Sequence, residues 1–420
     1  MSGMSEKTPP PIDRSCDVAV VGAGPAGLSA ALALATIGAR TLCAGPPFSP
    51  DPARPDTRTT ALLAGSVQLL RNTGVWSRCA AMAAPLEAIR IIDDRRAILR
   101  APEVEFRAGE LGLGTFGYNI PNAALVAAMI GQARRLENLK LVETAGVTRI
   151  EPAGASVRLT LDEGGGIDAR LVAGADGRRS LCRRAAGIAT RGWRYDQAAI
   201  ACNFDHARPH ENVSNEFHHE AGPFTTVPLP GRASSLVWVE RPAEVERLVA
   251  LPDEAFIQAV EANLHGLLGH VTGLGPRAAF PLSGLTASPL AASRIALVGE
   301  AAHVIPPIGA QGLNLGFRDA ATLAEGVASA LAAGADPGGE EVLRAYDRAR
   351  MSDVASRTFA VDLLNRSLLT EFLPVQLARG LGLHLLKSIA PLRQFVMRQG
   401  LAPNRGLPAL MRAPDGAAGI

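Results

Sequence analysis

Apolar positions along the chain form short continuous runs that alternate with longer helical patterns. Residues 16–21 are a continuous apolar run, which is typical of a strand buried on both faces of a parallel sheet. A glycine-rich turn and an alanine-rich helical pattern follow it. Similar strand-like runs occur at residues 40–44, 88–99, 139–150, 157–161 and 169–173, with a helical pattern at 125–136. This alternation predicts an α/β fold with a Rossmann-type sheet.

The pattern changes at about residue 193. β-like segments at residues 198–204, 213–219, 224–228 and 235–240 are separated by Gly and Pro, and a helical pattern covers 253–268. A buried-strand pattern returns at 294–299, and a loop of Gly and Pro at 306–312 leads into a helical pattern that ends near residue 333. We therefore expect a β-rich domain inserted into a discontinuous first domain. The predicted units are a disordered leader (1–14), the first part of the dinucleotide-binding domain (15–192), the β-rich substrate domain (193–290), the second part of the first domain (291–365) and a helical C-terminal segment (366–420).

Composition narrows the class of protein. The 420 residues are 47% hydrophobic and carry a net charge of +2, so neither length nor charge favours a nucleic-acid partner. Five cysteines without a C-x-x-C pair indicate free thiols in a reducing compartment. The N-terminus lacks the apolar core of a signal peptide, and no run of 18 apolar residues predicts a membrane-spanning helix. We expect a cytoplasmic protein.

The most specific motif is VVGAGPAGLSAALALA, which lies between a predicted strand and a predicted helix. Glycines permit the tight turn, the approach of a pyrophosphate to the backbone and close packing of helix on strand. The pyrophosphate would then lie at the positive end of the helix. The motif predicts dinucleotide binding by Gly22, Gly24, Pro25, Ala26 and Gly27. An acidic residue that would bind the ribose is missing near Cys43–Gly45, so Asp51 or backbone groups are the alternatives.

Two further segments place glycines after a predicted strand. One is GADGRRS, with Asp176 and Gly177, whose alternative interpretation is an acidic turn beside a solvated Arg face. The other is GEAAHVIPPIGAQGLNLGFRDA, in which a loop of Pro and Gly precedes a helix N-terminus. Such a loop can press backbone N–H groups against a ring system, and the helix end favours negative charge.

Together these segments resemble the class A flavoprotein monooxygenases, typified by 4-hydroxybenzoate hydroxylase, and within them the ubiquinone-biosynthesis hydroxylases. The resemblance extends from Asp17 to about Arg412 and includes DTRTTAL at residues 56–62, where Arg58 would lie against the flavin. It implies a Rossmann-type FAD-binding domain, an inserted β-rich substrate domain and a helical C-terminus. By the same resemblance the cofactor is FAD, NAD(P)H is the reductant and O2 the co-substrate.

The resemblance also assigns roles to residues. The further cofactor-binding positions it implies are Asn122, Asp176, Gly177, Gly299, Glu300, Gly312, Leu313 and Asn314. Pro307, Gly309 and Gln311 would shape the site where oxygen is transferred to the substrate. Glu300 departs from the family, which has Asp there, so we expect a shifted contact with the ribityl chain.

Other residues admit plain structural interpretations. Adjacent His218 and His219 point to opposite faces of a strand and have no Cys or His at ligand spacing, so we predict no metal site. His303 is predicted to be a hydrogen-bonded structural residue beneath the loop. Tyr118 and Trp238 either line a substrate cavity or pack in a core.

The C-terminal segment combines an apolar stripe with basic residues. Leu377, Leu381 and Leu385 fall on one helical face, and seven basic residues accompany one acid between residues 366 and 412. This pattern fits peripheral contact with the anionic inner face of a membrane, and equally a helix packed in the FAD domain or in a homo-oligomer interface.

The expected activity is hydroxylation of an aromatic ring, with a polyprenylphenol of ubiquinone biosynthesis as the preferred substrate. A soluble aromatic compound and a non-catalytic scaffold that contacts other ubiquinone-synthesis proteins are the alternatives. The missing ribose acid and Glu300 are the features that favour the scaffold.

Overall fold

The computed structural model describes residues 13–46, 56–95, 102–307, 309–369, 382, 384–400 and 406–413. The strands, numbered in chain order, are β1 (Asp13–Val21), β2 (Thr41–Gly45), β3 (Thr59–Leu63), β4 (Ala84–Pro85), β5 (Ala88–Asp93), β6 (Val104–Arg107), β7 (Gly117–Pro121), β8 (Leu139–Glu143), β9 (Val147–Ala153), β10 (Ser156–Leu161), β11 (Gly166–Gly174), β12 (Ala189–His206), β13 (Val213–His218), β14 (Pro223–Leu229), β15 (Ala233–Glu240), β16 (Val271–Leu274), β17 (Ala278–Ser288), β18 (Ala291–Ala292), β19 (Ile295–Leu297) and β20 (His303–Val304). The helices are α1 (Pro25–Thr36), α2 (Ala64–Asn72), α3 (Asn122–Ala133), α4 (Leu181–Ala185), α5 (Pro242–Val249), α6 (Asp253–Leu264), α7 (Gln311–Ala332), α8 (Glu340–Leu369) and α9 (Ala390–Gly400).

The first sheet has a parallel centre in the order β19-β11-β1-β2-β8. Val18 pairs with Leu171 on one side and Thr41 on the other, and the run Val18–Val21 is buried. A strand covered on both faces has no polar face, which explains the continuous apolar run. Helices α1, α3 and α7 pack together beside it. The structure confirms the predicted α/β fold class.

The second sheet has the order β20-β17-β12-β15-β14-β13-β5-β6, with β16 beside β12. Successive side chains along each of its strands point to opposite faces of the sheet. One face packs Ile200, Phe217, Phe224 and Leu236 into a core together with residues of α5 and α6. The opposite face carries Ala201, Glu216, Thr225 and Val237, which line a cavity. Trp238 packs edge-on against Phe224 in the core, with ring centroids 5.2 Å apart, so core packing explains this aromatic.

Two strands fall outside the sheet that their position in sequence suggested. The range 15–192 is predicted as the first part of the FAD-binding domain, but β5 pairs with β13, and β6 pairs with β5, in the second sheet. β12 also begins four residues before the predicted start of the inserted domain at 193. Strand pairing over more than a hundred residues leaves no trace in local periodicity, so the pattern could not assign these strands. The domain boundaries themselves stay a prediction.

A small third sheet lies next to β14 of the second sheet. β7 pairs with β3 and β4, and the sequence pattern did not predict β3 or β7. Tyr118 in β7 packs against Trp76, with ring centroids 4.9 Å apart. Tyr118 contacts the hydrophobic core around the first sheet and is not part of the cavity lining. All five cysteines are free and buried, and burial raises the pKa of Cys43 to about 12.

Candidate active site

The three glycine-containing segments of the sequence meet at the carboxyl ends of β1, β11 and β19. Gly22 has a φ of +119°, and a Cβ built on it would lie 2.3 Å from the carbonyl oxygen of Ala175. Gly299 has a φ of +62°, and its Cβ would lie 2.9 Å from that of Ala26. Only glycine permits both the backbone conformation and this close approach. The tertiary fold thus brings together Gly22 and Gly299, which are 277 residues apart in sequence.

The N-terminus of α1 is an open cradle. Gly24 is the N-cap residue, Pro25 follows at the first helical position, and no side chain caps the helix. A Cβ built on Gly24 would meet no atom within 4 Å, so space is open beside the free N–H groups. Uncapped N–H groups and the helix dipole favour an anion at this point. The cradle fits the pyrophosphate of a dinucleotide.

The carboxyl end of β2 explains the missing ribose acid. A Cβ built on Gly45 would lie 2.5 Å from Cβ of Ala23 and 2.9 Å from its backbone nitrogen. A side chain at position 45 would therefore collide with the turn after β1 unless that turn moved. Asp51, the alternative ribose ligand, lies outside the described residues.

Asp176 organises the second segment. Its Oδ2 accepts hydrogen bonds from the backbone N–H groups of Leu181 (2.6 Å) and Cys182 (3.0 Å), and its Oδ1 accepts from the hydroxyl of Ser180 at 2.5 Å. The carboxylate thus stabilises the first turn of α4. Gly177, at a φ of +76°, continues the same turn. A contact between these two residues and a cofactor stays a prediction.

A cavity of about 370 Å³ separates the loop before α7 from the open face of the second sheet. Seven of the residues singled out in the sequence line it: Arg58, Glu300, Pro307, Gly309, Gln311, Gly312 and Leu313. The opposite wall is supplied by the second sheet and its neighbours, including Leu86, Ile89, Phe116, Phe280 and Leu282. The sequence pattern did not predict this wall, because many of its residues come from strands whose pairing only the fold establishes.

Arg58 lines one edge of the cavity, and Asn122 lies beside Arg58 but outside the lining. Arg58 donates to Asp56 through Nε at 2.7 Å and Nη2 at 2.8 Å, and its guanidinium lies 5.6 Å from the centre of the Phe280 ring. The backbone N–H of Asn122 donates to the carbonyl of Arg58 at 3.0 Å. The side chain of Asn122 accepts from Thr60 and donates to Asp56. The two predicted cofactor residues therefore share Asp56 as an anchor.

Glu300 and Asn314 have partners within the protein. Glu300 pairs with Nε of Arg178 at 3.2 Å, and the Glu300 side chain is 57% exposed. The amide of Asn314 accepts from the Leu63 backbone N–H at 2.9 Å and donates to the carbonyls of Ala61 and Ala310. Asn314 thereby joins β3 to the start of α7, and both strand and loop contribute to the cavity wall.

A buried polar network, which the sequence did not reveal, supports the loop from beneath. Asp319 is fully buried and accepts hydrogen bonds from the Gly299 backbone N–H at 3.0 Å, Nε2 of His303 at 2.7 Å and Nε of Arg350 at 2.7 Å. Burial by itself raises the pKa of Asp319, but His303, Arg350 and the Gly299 N–H together hold the pKa below its ordinary value. His303 is therefore buried and hydrogen-bonded beneath the loop, whereas its purely structural role stays a prediction.

The network continues to the cavity wall. Arg350 donates to Asp353 at 2.6 Å, and Arg357 donates to Asp353 at 2.9 Å and to Oε1 of Gln311 at 2.6 Å. Burial alone raises the pKa of Asp353, but Arg350, Arg318 and Arg357 lower it well below its ordinary value. Gly299 and Gln311, at the two ends of the glycine-rich segment, are thus connected to one set of buried charges.

Comparisons with known proteins agree with this geometry. Residues 15–360 match the family model described as FAD binding domain. A ubiquinone hydroxylase, UbiL, of Rhodospirillum rubrum is 35% identical over 93% of this chain and 90% of its own length. The 3-demethoxyubiquinol 3-hydroxylase of Escherichia coli is 31% identical over 93% of this chain and 99% of its own length. Among solved structures, p-nitrophenol 4-monooxygenase of Pseudomonas putida has a TM-score of 0.74 at 20% identity and covers 93% of this chain and 100% of its own.

Proposed function

Because this chain belongs to the FAD-binding family that includes the ubiquinone-biosynthesis hydroxylases, we propose that it hydroxylates the ring of a polyprenylated phenol on the route to ubiquinone. It is an FAD-dependent monooxygenase that acts on an aromatic ring. In the proposal, NAD(P)H is the reductant and O2 supplies the oxygen atom.

The cavity is the observation that carries this proposal. It lies between the loop before α7 and one face of the second sheet, and the apolar side chains of Leu86, Ile89, Phe116 and Leu282 are among its walls. Ligand sites for aromatic compounds are concave and mostly apolar, with a few polar groups that fix orientation. A ring bound here would lie beside Pro307 and Gln311, and an attached apolar chain would remain in contact with apolar side chains.

We assign the cofactor to the groove formed by the three glycine-containing segments. The open end of α1, with Gly22, Gly24, Pro25, Ala26 and Gly27, would hold the pyrophosphate. Arg58, Asn122, Gly312 and Leu313 would contact the flavin ring system, and the N-terminus of α7, which no side chain caps, would stabilise negative charge on it. Bound FAD supplies the redox chemistry, while the loop residues Pro307, Gly309 and Gln311 orient the ring and exclude water.

A contact with membrane lipid would give the enzyme access to such a substrate. Ile389, Leu392, Phe395 and Val396 are exposed large apolar residues on or beside α9. Among the described residues no helix is long and apolar enough to cross a membrane. Leu377 and Leu381, part of the predicted apolar stripe, lie outside the described residues, whereas Leu385 is exposed. The proposed contact is therefore peripheral, with the anionic inner face of the membrane.

The membrane contact is tested with a matched pair of surface variants. Phe395→Ser with Val396→Ser should reduce co-sedimentation with vesicles that contain anionic lipid, whereas Met82→Ser should not. Met82 is exposed to a similar degree as Val396 but lies far along the chain, before β4. Equal sedimentation of both variants and the unchanged protein would reject the contact and favour a protein interface.

The proposed activity is tested on the purified, FAD-loaded protein. The visible spectrum should show flavin bands that bleach when NAD(P)H is added without oxygen and return in air, with hydroxylated product formed from a prenylated phenol. The same ring without its prenyl chain serves as the comparison. Higher turnover of the compound without the prenyl chain would indicate that the natural substrate is a soluble aromatic compound. If the protein holds no flavin after reconstitution with FAD, the proposed enzymatic activity is rejected.

A further inference from the structure

Glu216 is the one acidic or basic side chain that the second sheet contributes to the described cavity wall. The other three acidic or basic residues in that lining are Arg58, Arg178 and Glu300, which belong to the side of the cavity near the glycine-containing segments. Arg58 pairs with Asp56, and Arg178 pairs with Glu300. Glu216 has no arginine or lysine partner among the described residues, and its side chain is only 13% exposed. Burying a carboxylate in a largely apolar wall costs folding free energy, so a carboxylate at this place points to a function.

The strand alternation directs Glu216 towards the cavity. Ser214 and Glu216, two residues apart on β13, both line it, whereas Phe217 between Glu216 and His218 packs in the core on the other face. The cross-strand neighbour of Glu216 on β14 is Thr225, which also lines the cavity. Successive residues of a strand point to opposite faces, so this placement follows from the register.

His218 holds the carboxylate in place. Its Nε2 lies 2.7 Å from Oε1 of Glu216, and the imidazole is almost completely buried. With the carboxylate ionised, Nε2 of His218 is the donor in this hydrogen bond. The second oxygen, Oε2, has no donor among the described residues. Glu216 is thus oriented by one contact and keeps an acceptor for a ligand in the cavity.

We propose that Glu216 recognises the phenolic hydroxyl of the aromatic substrate and accepts its proton, with His218 as a positioning residue. This inference rests on the proposed function, because it requires a substrate with a ring hydroxyl. The O–H bond of the phenol breaks, its proton passes to Oε2 of Glu216, and the electron pair stays on the phenolic oxygen. The ring becomes more electron-rich and accepts the oxygen atom more readily. The hydroxylated carbon then loses its hydrogen as a proton to water, the electrons of that C–H bond return to the ring and leave the ring oxygen negative, and Glu216 returns its proton to this oxygen.

A binding measurement without turnover tests the recognition step. A prenylated phenol and its methyl ether are titrated into the FAD-loaded protein without NAD(P)H, and the change in flavin absorbance reports binding. The unchanged protein should bind the phenol about tenfold more tightly than the ether, which cannot donate a hydrogen bond. Glu216→Leu should bind the two compounds equally. Equal binding by the unchanged protein, or an undiminished preference in Glu216→Leu, would overturn the inference.

Turnover then tests the proton transfer. Glu216→Gln can accept the hydrogen bond but not the proton, so kcat should fall by about a hundredfold while KM changes little. Glu216→Asp should recover part of the loss. Glu105→Gln, on strand β6 of the same sheet and outside the described lining, is the control and should keep kcat. FAD content and melting temperature identify any variant that fails to fold, and Glu216→Asp then supplies the comparison.

The outcomes separate the inference from the proposed function. If the unchanged protein hydroxylates no phenol, the proposed function fails and the role of Glu216 fails with it. If it hydroxylates phenols and Glu216→Gln keeps the same kcat, only the role of Glu216 is rejected. A fall in kcat confined to the Glu216 variants supports both.

Discussion

The carboxylate of Asp319 accepts a hydrogen bond from Nε of Arg350 at 2.7 Å, and both side chains are buried between α7 and α8. The same carboxylate accepts from the backbone N–H of Gly299, so one buried charge pair fixes the end of β19 relative to two helices. Removing one partner of a buried ion pair strongly lowers the free energy of unfolding, because the other charge loses its compensation.

We expect Asp319→Asn to lower the free energy of unfolding by ~3 kcal/mol, the low end for a broken buried pair, because Arg350 loses one of its two carboxylate partners and keeps only Asp353. Urea denaturation of the FAD-free protein measures this loss. Glu340→Gln is the control: it removes one partner of an exposed pair with Arg344, which should cost less than about 1 kcal/mol. Similar losses for the two variants would show that the Asp319 network contributes no more than a surface pair.

The contact between Arg357 and Gln311 should affect turnover more than stability. Replacing Arg357 by Met removes the hydrogen bond that holds the first residue of α7 at the cavity wall. It also removes the pair with Asp353, which keeps Arg318 and Arg350 as partners. We expect kcat to fall by about tenfold with FAD content unchanged, since small displacements of positioning groups reduce rates strongly. Arg344→Met on the same helix should leave kcat unchanged. Unaltered turnover in Arg357→Met would mean that Gln311 needs no support from α8.

Filling the cradle at α1 should prevent cofactor binding without unfolding the protein. Gly24 has an extended backbone that valine also adopts, and a Cβ there meets no protein atom within 4 Å. The valine side chain would occupy the space that we assign to the pyrophosphate. We expect Gly24→Val to bind FAD at least about tenfold more weakly, since hydrogen bonds to charged groups contribute ~1.5–3 kcal/mol each.

Fluorescence titration with FAD measures this effect, and circular dichroism verifies the fold. Gly146→Val is the matched control, because a Cβ at Gly146 also meets no atom within 4 Å and this glycine lies between β8 and β9. Tight FAD binding by Gly24→Val would place the pyrophosphate elsewhere.

Acid should destabilise the protein through the network of Asp319 and Asp353. The pKa values of both carboxyl groups lie below their ordinary values in the folded protein. Their stabilisation is therefore fully present above the ordinary Asp pKa of about 4 and is lost as the pH falls towards the lower folded values. The melting temperature should decrease from pH 5 to pH 3, and less steeply in Asp353→Asn. A parallel decrease in both proteins would exclude Asp353 as a source of the acid sensitivity.

The sequence by itself determined the fold class and the main cofactor motif. The buried run at Val18–Val21 and the glycines after it follow from local requirements, namely a strand covered on both faces and a turn that approaches a helix closely. The same applies to α3 and α7, whose helical periodicity is strong, although α3 begins three residues before the predicted helix.

Tertiary structure alone decided which residues face the cavity and which charges support it. β3, β5 and β7 contribute through pairings with strands distant in sequence, and no periodicity indicates a partner. The local sequence around Glu216 does not indicate which face of its strand points to the cavity. Only the register of the strand in the sheet directs Glu216 to the cavity rather than to the core. Asp319 and Arg350, 31 residues apart, become partners only when α7 and α8 pack together. Local sequence encodes backbone conformation, whereas contacts between distant segments arise from the packing of the whole chain.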